Sequence, residues 1–176
     1  VTDYQVLRAP DAAGLWQWGV ITDGVSSATS FTDTTTSNGV DYYYIIAAIN
    51  IAGTGPNSAQ SLVGRPRGVT VAPTNVVGTA GDTQVSLTWT APAANGAPIT
   101  SYTAQAYNDS GTAVAGATCT ISAPSTTCDV TTNLVAGTAY TFKVTATNAA
   151  GAGSASNAST SAAINAAPSA PRNVTA

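Results

Sequence analysis

Apolar and polar residues alternate in several short stretches of this chain. In "QVSLTWTAP" (Gln84–Pro92) every second side chain is apolar, while serine and threonine occupy the positions between them. The apolar set is Val85, Leu87 and Trp89. A period of two is that of a β-strand with one face buried and one face in water.

A second stretch, "AYTFKVTAT" (Ala139–Thr147), has the same period and places Lys143 outward. Its inward set is Tyr140, Phe142, Val144 and Ala146. Clusters of glycine, proline and asparagine such as "AANGAP" and "NAAGAG" end these stretches. Seven short strands in about 90 residues at this spacing predict an all-β fold with two packed sheets.

One phrase of the sequence occurs twice. The stretch Asn38–Ser58 returns as Ala136–Ser156, 98 residues later, and "APTNV" at Ala72–Val76 returns as "APRNV" at the same offset. A period near 100 residues is too long for a solenoid coil and matches one small β domain. The sequence therefore predicts consecutive repeats of one domain.

The period sets the predicted domain boundaries. We expect a first repeat at 1–66, a linker at 67–72, a complete repeat at 73–165, and a linker with the first strand of a third repeat at 166–176. Val1 aligns with Ile99, which places the start of the first repeat at its third strand. This repeat therefore lacks its first two strands.

Two explanations account for the missing strands. The sequence is a segment of a longer polypeptide, which we favour, or strands of another chain complete the first repeat. In the second case "SAPRNVTA" at the C-terminus would be donated to a neighbouring copy by β-strand addition. It supplies one short strand where two are missing.

Charge and composition argue against several classes of function. The chain has five basic and eight acidic residues and no histidine, so it carries no basic surface suited to nucleic acid. The acidic residues are all aspartates and are scattered, with Asp82 and Asp109 in predicted turns. No pattern of catalytic, metal or cofactor residues is present, nor an apolar run long enough to span a membrane. We predict a protein without catalytic activity, cofactor or metal.

The two cysteines, Cys119 and Cys128, flank "TISAPSTT" and its proline. We expect them on neighbouring strands of a hairpin, where a disulfide closes if the Cα atoms lie within about 7 Å. The alternative is a pair of reduced, buried thiols. The residues 98 positions earlier are Ile21 and Ser30, so the bridge is expected only in the second repeat.

Several ordered positions together resemble a known family. Trp89 lies in the second strand before "NGAPITSY", Tyr140 ends "LVAGTAY", and "VTATNAAGAGSAS" closes the unit. The chain resembles fibronectin type III domains of the kind found in bacterial secreted and cell-surface proteins. The resemblance implies tandem seven-stranded, immunoglobulin-like sandwiches.

The resemblance also implies roles for individual residues. Trp89 would be the centre of the core, and Tyr140 and Tyr42 would form tyrosine corners by bonding the backbone just upstream. Leu134 would pack beneath Tyr140. The first repeat has Thr36 near that place, so its corner is expected to be looser.

Trp16 and Trp18 in "GLWQWG" would point to one face of a strand. Two exposed indoles there could stack on sugar rings, which makes a polysaccharide a candidate partner. The alternative, which we favour, is that they pack against the first repeat.

An outward apolar stripe is expected on the first repeat, formed by Leu7, Tyr43, Ile45 and Ile49. It is either a contact surface for a neighbouring domain or subunit, or the ordinary preference of strands for β-branched and aromatic residues.

These observations predict a non-catalytic structural or spacer protein located outside the cell or on its surface. Its partners would be neighbouring repeats and identical subunits of a fibre, appendage or surface layer. The alternative function is a carbohydrate-binding or adhesive accessory module of a larger secreted enzyme or adhesin.

Overall fold

The computed structural model describes residues 1–10, 17–21 and 24–165, which form two compact units, Val1–Gly68 (unit 1) and Val69–Ala176 (unit 2). Within the described residues the secondary structure consists of eleven strands and no helix. The strands are β1 (Asp3–Pro10), β2 (Gly19–Ile21), β3 (Tyr42–Asn50), β4 (Gly53–Asn57), β5 (Thr74–Ala80), β6 (Val85–Thr90), β7 (Ile99–Tyr107), β8 (Ala113–Ser122), β9 (Thr127–Val130), β10 (Thr141–Asn148) and β11 (Gly151–Ala155).

Unit 2 is a sandwich of two sheets. One sheet has the strand order β5-β6-β9 and the other β11-β10-β7-β8, and all pairs are antiparallel. These seven strands confirm the predicted all-β sandwich. The core lies between the sheets, where the alternating apolar side chains of facing strands meet.

The predicted inward residues of unit 2 are buried. Val85 and Leu87 on β6 are 0% exposed, and Trp89 is 6% exposed with its ring centroid 5.3 Å from that of Tyr102. From the opposite sheet the core receives Tyr140, Phe142, Val144 and Ala146. Burial of each large apolar side chain contributes roughly 1.5–3 kcal/mol, so this alternation is the main source of stability.

The loop between β6 and β7 contains a tight turn. The φ angles of Asn95 and Gly96 are 52° and 90°, and the amide of Ala97 donates to the carbonyl of Ala94 over 3.3 Å. Two successive positive φ angles define a type I′ turn, which the sequence Asn-Gly favours. The buried Asn148 on β10 donates its side-chain amide to the Ala94 carbonyl over 3.0 Å, which ties the loop to the opposite sheet.

The disulfide between Cys119 and Cys128 is confirmed, with a Cα–Cα distance of 6.4 Å. The expected hairpin is wrong, because the two strands do not pair with each other. Cys119 lies on β8 of one sheet and Cys128 on β9 of the other. The chain crosses from one sheet to the other through the turn at Pro124. The bridge therefore joins the two layers of the sandwich.

The segment that enters unit 2 is packed into the fold ahead of β5. Thr70 is only 2% exposed, and its hydroxyl donates to the carbonyl of Ala146 on β10 over 3.0 Å. Gly153 on β11 lies directly against Thr70, so a Cβ atom added there would collide with the threonine carbonyl and hydroxyl. Pro73 is fully buried. Residues that the sequence assigns to a linker thus pack within unit 2.

In unit 1 the described residues form a single sheet with the order β2-β1-β3-β4. Its register repeats that of unit 2 at the 98-residue offset, since Val6 pairs with Ile46 as Ala104 pairs with Val144. The register shift between β3 and β4 also recurs between β10 and β11.

The two units differ in what covers the inward face of this sheet. Val144 is 0% exposed in unit 2, whereas the corresponding Ile46 is 44% exposed. The segment 29–32, which matches β9 by offset, forms no strand. Among the described residues of unit 1 there is no second sheet for it to pair with. The inward face of unit 1 is only partly covered, since Val6 is 8% exposed while Ile46 is not buried.

The position of the disulfide leads to a stability prediction. Replacing both cysteines (Cys119→Ala with Cys128→Ala) should lower the free energy of unfolding of unit 2 by about 2–3 kcal/mol, because the cross-link restricts the unfolded chain. Denaturant titration measures this loss. Wild-type protein in reductant should match the variant, while reductant should leave the variant unchanged. A reductant effect on the variant would contradict this explanation.

A matched pair of glycines provides a second prediction. Gly153→Ala should destabilise unit 2 by about 1–3 kcal/mol, because the new methyl group overlaps Thr70. Gly55→Ala, at the equivalent site of unit 1, should change stability by less than about 1 kcal/mol. Its Cβ would meet only the Ala48 carbonyl oxygen, at an ordinary 3.4 Å. Thermal unfolding of both variants tests the pair, and equal effects would contradict it.

Candidate functional site

Both expected tyrosine corners have the hydroxyl hydrogen bond. The Tyr140 hydroxyl accepts from the Val135 amide over 3.1 Å, and the Tyr42 hydroxyl accepts from the Ser37 amide over 3.0 Å. A looser corner is expected in the first repeat, but the tyrosine hydroxyl hydrogen bond is equally short in both units. Leu134 is half-buried and packs against the core of unit 2.

The expected outward stripe is more covered than a solvent-facing surface. Leu7, Tyr43 and Ile49 are half-buried, and Ile45 is only 8% exposed. Cross-strand pairing of Leu7 with Ile45 explains part of this burial, since paired side chains on one face shield each other. The role of the stripe as a contact surface stays a prediction.

The tryptophan pair is only partly described. Trp18 precedes β2 and is half-buried, whereas Trp16 lies outside the described residues. The coplanar exposure of both indoles that sugar stacking requires therefore stays a prediction.

A polar network lies on the inward face of the unit 1 sheet, where unit 2 has an apolar core. The Arg8 guanidinium donates to the Asp33 carboxylate over 2.8 Å, and the Tyr44 hydroxyl donates to the same carboxylate oxygen over 3.0 Å. Thr35 donates to the second carboxylate oxygen from its amide and its hydroxyl, over 2.9 and 2.7 Å. The guanidinium also lies 4.9 Å from the ring centroid of Tyr42.

These contacts perturb the protonation of two groups. Burial, the largest single influence, would raise the pKa of Asp33, but hydrogen bonds from Thr35 oppose it. Together with those from Arg8 and Tyr44 they lower the pKa of Asp33 to about 2. Burial, reinforced by the hydrogen bond to Asp33, raises the pKa of Tyr44 to about 12. The carboxylate is thus held ionised and the phenol protonated across the physiological range.

Sequence reasoning missed this network because it treated Asp33 as one of several scattered acids. A comparison of residues 98 positions apart could have revealed the network. Arg8 and Tyr44 replace Ala106 and Phe142 of unit 2, and they pair directly across β1 and β3. A charged residue at an inward strand position needs a buried partner, and Asp33 is that partner.

Unit 1 also has a groove at its sheet edge and an apolar hollow on its inward face. The groove lies along β3 and β4 and is lined by Val1, Ala48, Gly53 and Gly55. The hollow is lined by Tyr4, Val6, Phe31 and Ile46.

In the part of the chain that the structure describes, no three histidine, cysteine or acidic residues are grouped as metal ligands. Over the same residues, no helix has the length and apolar character required to cross a membrane.

Comparison with known proteins agrees with this architecture. The profile of the fibronectin type III domain matches residues 71–162, just over half of the chain. The chain belongs to the fibronectin type III family. The match covers the seven strands of unit 2, and the hallmarks described above, Trp89 and the tyrosine corner of Tyr140, lie within it.

Solved structures are also similar to this chain. The FN1–FN3 domains of chicken CNTN1 match 94% of this chain at 18% sequence identity and a TM-score of 0.50, and the chain spans 57% of that structure. A structure of titin kinase and its flanking domains matches 55% of this chain and 17% of its own length, at 27% identity and a TM-score of 0.44. No curated protein matches the chain.

Membership of the family limits the functions to consider. Fibronectin type III domains are generally non-catalytic modules with structural or adhesive roles, and they mediate protein–protein interactions. The disulfide of unit 2 is consistent with an extracellular location.

The polar network predicts an acid sensitivity of unit 1. The pKa of Asp33 is lower in the folded state than its ordinary 3.8. The ionised Asp33 carboxylate therefore contributes fully to the free energy of unfolding above about pH 4, and this contribution is lost as the pH falls towards about 2. We expect a loss of about 1 kcal/mol, since Arg8 is one-fifth exposed and water screens the ion pair.

Denaturant titration of the full chain between pH 5 and pH 2, followed at the Tyr44 amide by NMR, measures this loss. Asp33→Asn is the matched control, because it keeps the side-chain shape and removes the titrating group. The difference in free energy of unfolding between the wild type and Asp33→Asn should shrink as the pH falls. A constant difference would show that Asp33 is not the titrating group.

Proposed function

We propose that this chain is a non-catalytic spacer composed of tandem fibronectin type III repeats in an exported, bacterial-type polypeptide. One observation carries the proposal: unit 1 and unit 2 share a set of backbone and side-chain hydrogen bonds at a constant offset of 98 residues. Two successive units that share one sheet plan support an array, in which each domain adds length.

The shared hydrogen bonds lie along the edge strand of each unit. The Ser61 hydroxyl accepts from the Tyr44 amide over 3.0 Å, as the Ser159 hydroxyl accepts from the Phe142 amide. Likewise, the Ser58 hydroxyl accepts from the Ile46 amide, and the Ser156 hydroxyl accepts from the Val144 amide. These serines replace ladder bonds that an irregular edge strand cannot make, so the details of the edge are repeated along with the fold.

The connection between the units is short. In unit 1 the Pro66 carbonyl accepts from the Gly39 amide over 2.8 Å, and in unit 2 the Val69 carbonyl accepts from the Asn95 side chain over 2.8 Å. Two residues, Arg67 and Gly68, separate these anchored positions. A joint this short supports a semi-rigid spacer over a flexible tether.

The finer version of the proposal is a subunit of a surface fibre, appendage or surface layer. The low charge of the chain and its threonine-rich strands would allow copies to pack side by side without strong repulsion. The stripe of Leu7, Tyr43, Ile45 and Ile49 is the proposed contact. No specific observation favours the carbohydrate-binding alternative.

A spacer must resist extension, which single-molecule pulling of the full chain can test. We expect unit 2 to unfold in one discrete event. Reduction of the disulfide should lengthen that event by about 25 Å, because nine residue steps of about 3.5 Å each replace the 6.4 Å between the bridged Cα atoms. Gradual extension without a discrete event would contradict the proposal.

A control separates the disulfide from the fold. The Cys119→Ala with Cys128→Ala variant should show the longer event with and without reductant. If reduction lengthens the event in this variant as well, the change in length does not come from the bridge and the assignment of the event to unit 2 is wrong.

A further inference from the structure

Three asparagines of unit 2 share a backbone conformation that few residues other than glycine adopt. Asn75, Asn95 and Asn133 have φ angles of 53°, 52° and 58°, and in the part of the chain that the structure describes they are the only residues besides glycine with a positive φ. Asparagine tolerates this left-handed region because its short polar side chain can form local hydrogen bonds. The backbone therefore favours asparagine at all three sites.

The three asparagines differ in the residue that follows them. Each donates a hydrogen bond from its side-chain amide, and in chain order the acceptors are the Thr90 hydroxyl (3.2 Å), the Val69 carbonyl (2.8 Å) and the Ala115 carbonyl (2.9 Å). The following residues, in the same order, are Val76, Gly96 and Leu134. Of the three, Asn95 alone precedes a glycine.

The Asn95 bond holds the entry segment of unit 2, residues 69–73. Val69 is the first residue of this unit, and the next residue, Thr70, is only 2% exposed. The loop that contains Asn95 is itself held by the buried Asn148, whose side chain donates to the Ala94 carbonyl over 3.0 Å. The Asn95 side chain thus connects the entry segment to a loop that is anchored on β10.

An asparagine followed by glycine can lose its side-chain amide without an enzyme. The backbone nitrogen of the next residue attacks the asparagine Cγ atom, which closes a succinimide ring and expels ammonia; the ammonia takes up the proton of that nitrogen. Water then opens the ring at either carbonyl and gives aspartate or isoaspartate. Glycine leaves the attacking nitrogen unobstructed. The side chains of Val76 and Leu134 pack against the core and crowd the same position after Asn75 and Asn133.

We propose that Asn95 is a site of spontaneous deamidation, and that its conversion to aspartate or isoaspartate unfastens the entry segment from the loop between β6 and β7. The carboxylate of the product has no N–H group to donate to the Val69 carbonyl, and its negative charge repels that oxygen. Isoaspartate also places the former side-chain Cβ atom in the main chain, which changes the geometry of the tight Asn-Gly turn.

The Asn95 bond sets the spacing of the anchored positions on either side of the connection between the units. In the intact chain two residues separate the bonded carbonyls of Pro66 and Val69. Loss of the Asn95 bond moves the second anchor to Thr70, whose hydroxyl bonds a carbonyl of β10. Deamidation therefore lengthens the connection between anchors, and it does so irreversibly because the ammonia is lost to solvent.

The first experiment ages the full chain in mildly alkaline buffer, at a temperature where it stays folded, and locates deamidation by tandem mass spectrometry. Digestion of the denatured, reduced chain after Arg67 and Lys143 gives one peptide that contains all three asparagines, so their rates are compared directly. We expect Asn95 to deamidate at least about tenfold faster than Asn75 and Asn133, because only its neighbour leaves the attack unobstructed.

The second experiment measures whether deamidation releases the entry segment. The deamidated chain carries an additional negative charge, so ion exchange separates it from the intact chain. Arg67 is exposed and lies outside the strands, and an arginine-specific protease cuts after it when the flanking residues open. In the folded, deamidated chain we expect this cleavage to be about two- to tenfold faster, the factor that corresponds to one lost hydrogen bond.

Two variants make the second experiment specific. Asn95→Asp reproduces the aspartate product and should accelerate cleavage after Arg67 over the same range without ageing. Asn133→Asp is the matched control, because it removes a side-chain bond to a carbonyl from another left-handed asparagine of the same unit. This control should leave the cleavage rate unchanged.

Two results would overturn the proposal. If Asn95 stays intact in a chain whose other Asn-Gly site, Asn38–Gly39, has deamidated, the loop protects Asn95 from the reaction. If cleavage after Arg67 is equally fast in the intact chain, the deamidated chain and the Asn95→Asp variant, the Asn95 bond does not hold the entry segment.

Discussion

An antiparallel sheet with one apolar face is stable in water only when a second layer covers that face, and the whole molecule follows from this constraint. In unit 2 the strand pair β7–β10 is covered by β6, whose Val85, Leu87 and Trp89 fill the space between the sheets. The equivalent pair in unit 1 keeps the same register but leaves Ile46 exposed. Strand pairing is therefore a property of the local sequence, whereas burial depends on the partner sheet.

The polar network is a second way to satisfy the same constraint. Arg8 and Tyr44 replace an alanine and a phenylalanine at paired inward positions, so this end of the unit 1 face needs hydrogen-bonding partners in addition to apolar cover. Asp33 and Thr35 supply them from the connecting segment, without a second sheet. The connection between β2 and β3 thus covers part of the inward face of unit 1, whereas β6 and β9 cover that face in unit 2.

The alternation of side chains made much of this fold predictable from the sequence. The inward sets on β6 and β10 needed only a period of two, and the tyrosine corners needed only the family resemblance. The disulfide was correctly paired but wrongly placed, because a nine-residue spacing cannot distinguish a hairpin from a crossing between sheets. The Asp33 network was missed, since its members are 25 and 11 residues apart and meet only after β1 and β3 pair.

The comparison of two related units within one chain shows more than either unit does alone. A glycine that relieves a collision, such as Gly153, has an evident cause in its own surroundings. The glycine at the matching position, Gly55, meets no such collision in the described part of unit 1. The same reasoning applies to the exposed Asn50, whose counterpart holds a loop in place. Residue types retained at matching positions therefore do not by themselves show that the surrounding contacts are retained, since Gly55 and Asn50 lack the contacts that Gly153 and Asn148 make.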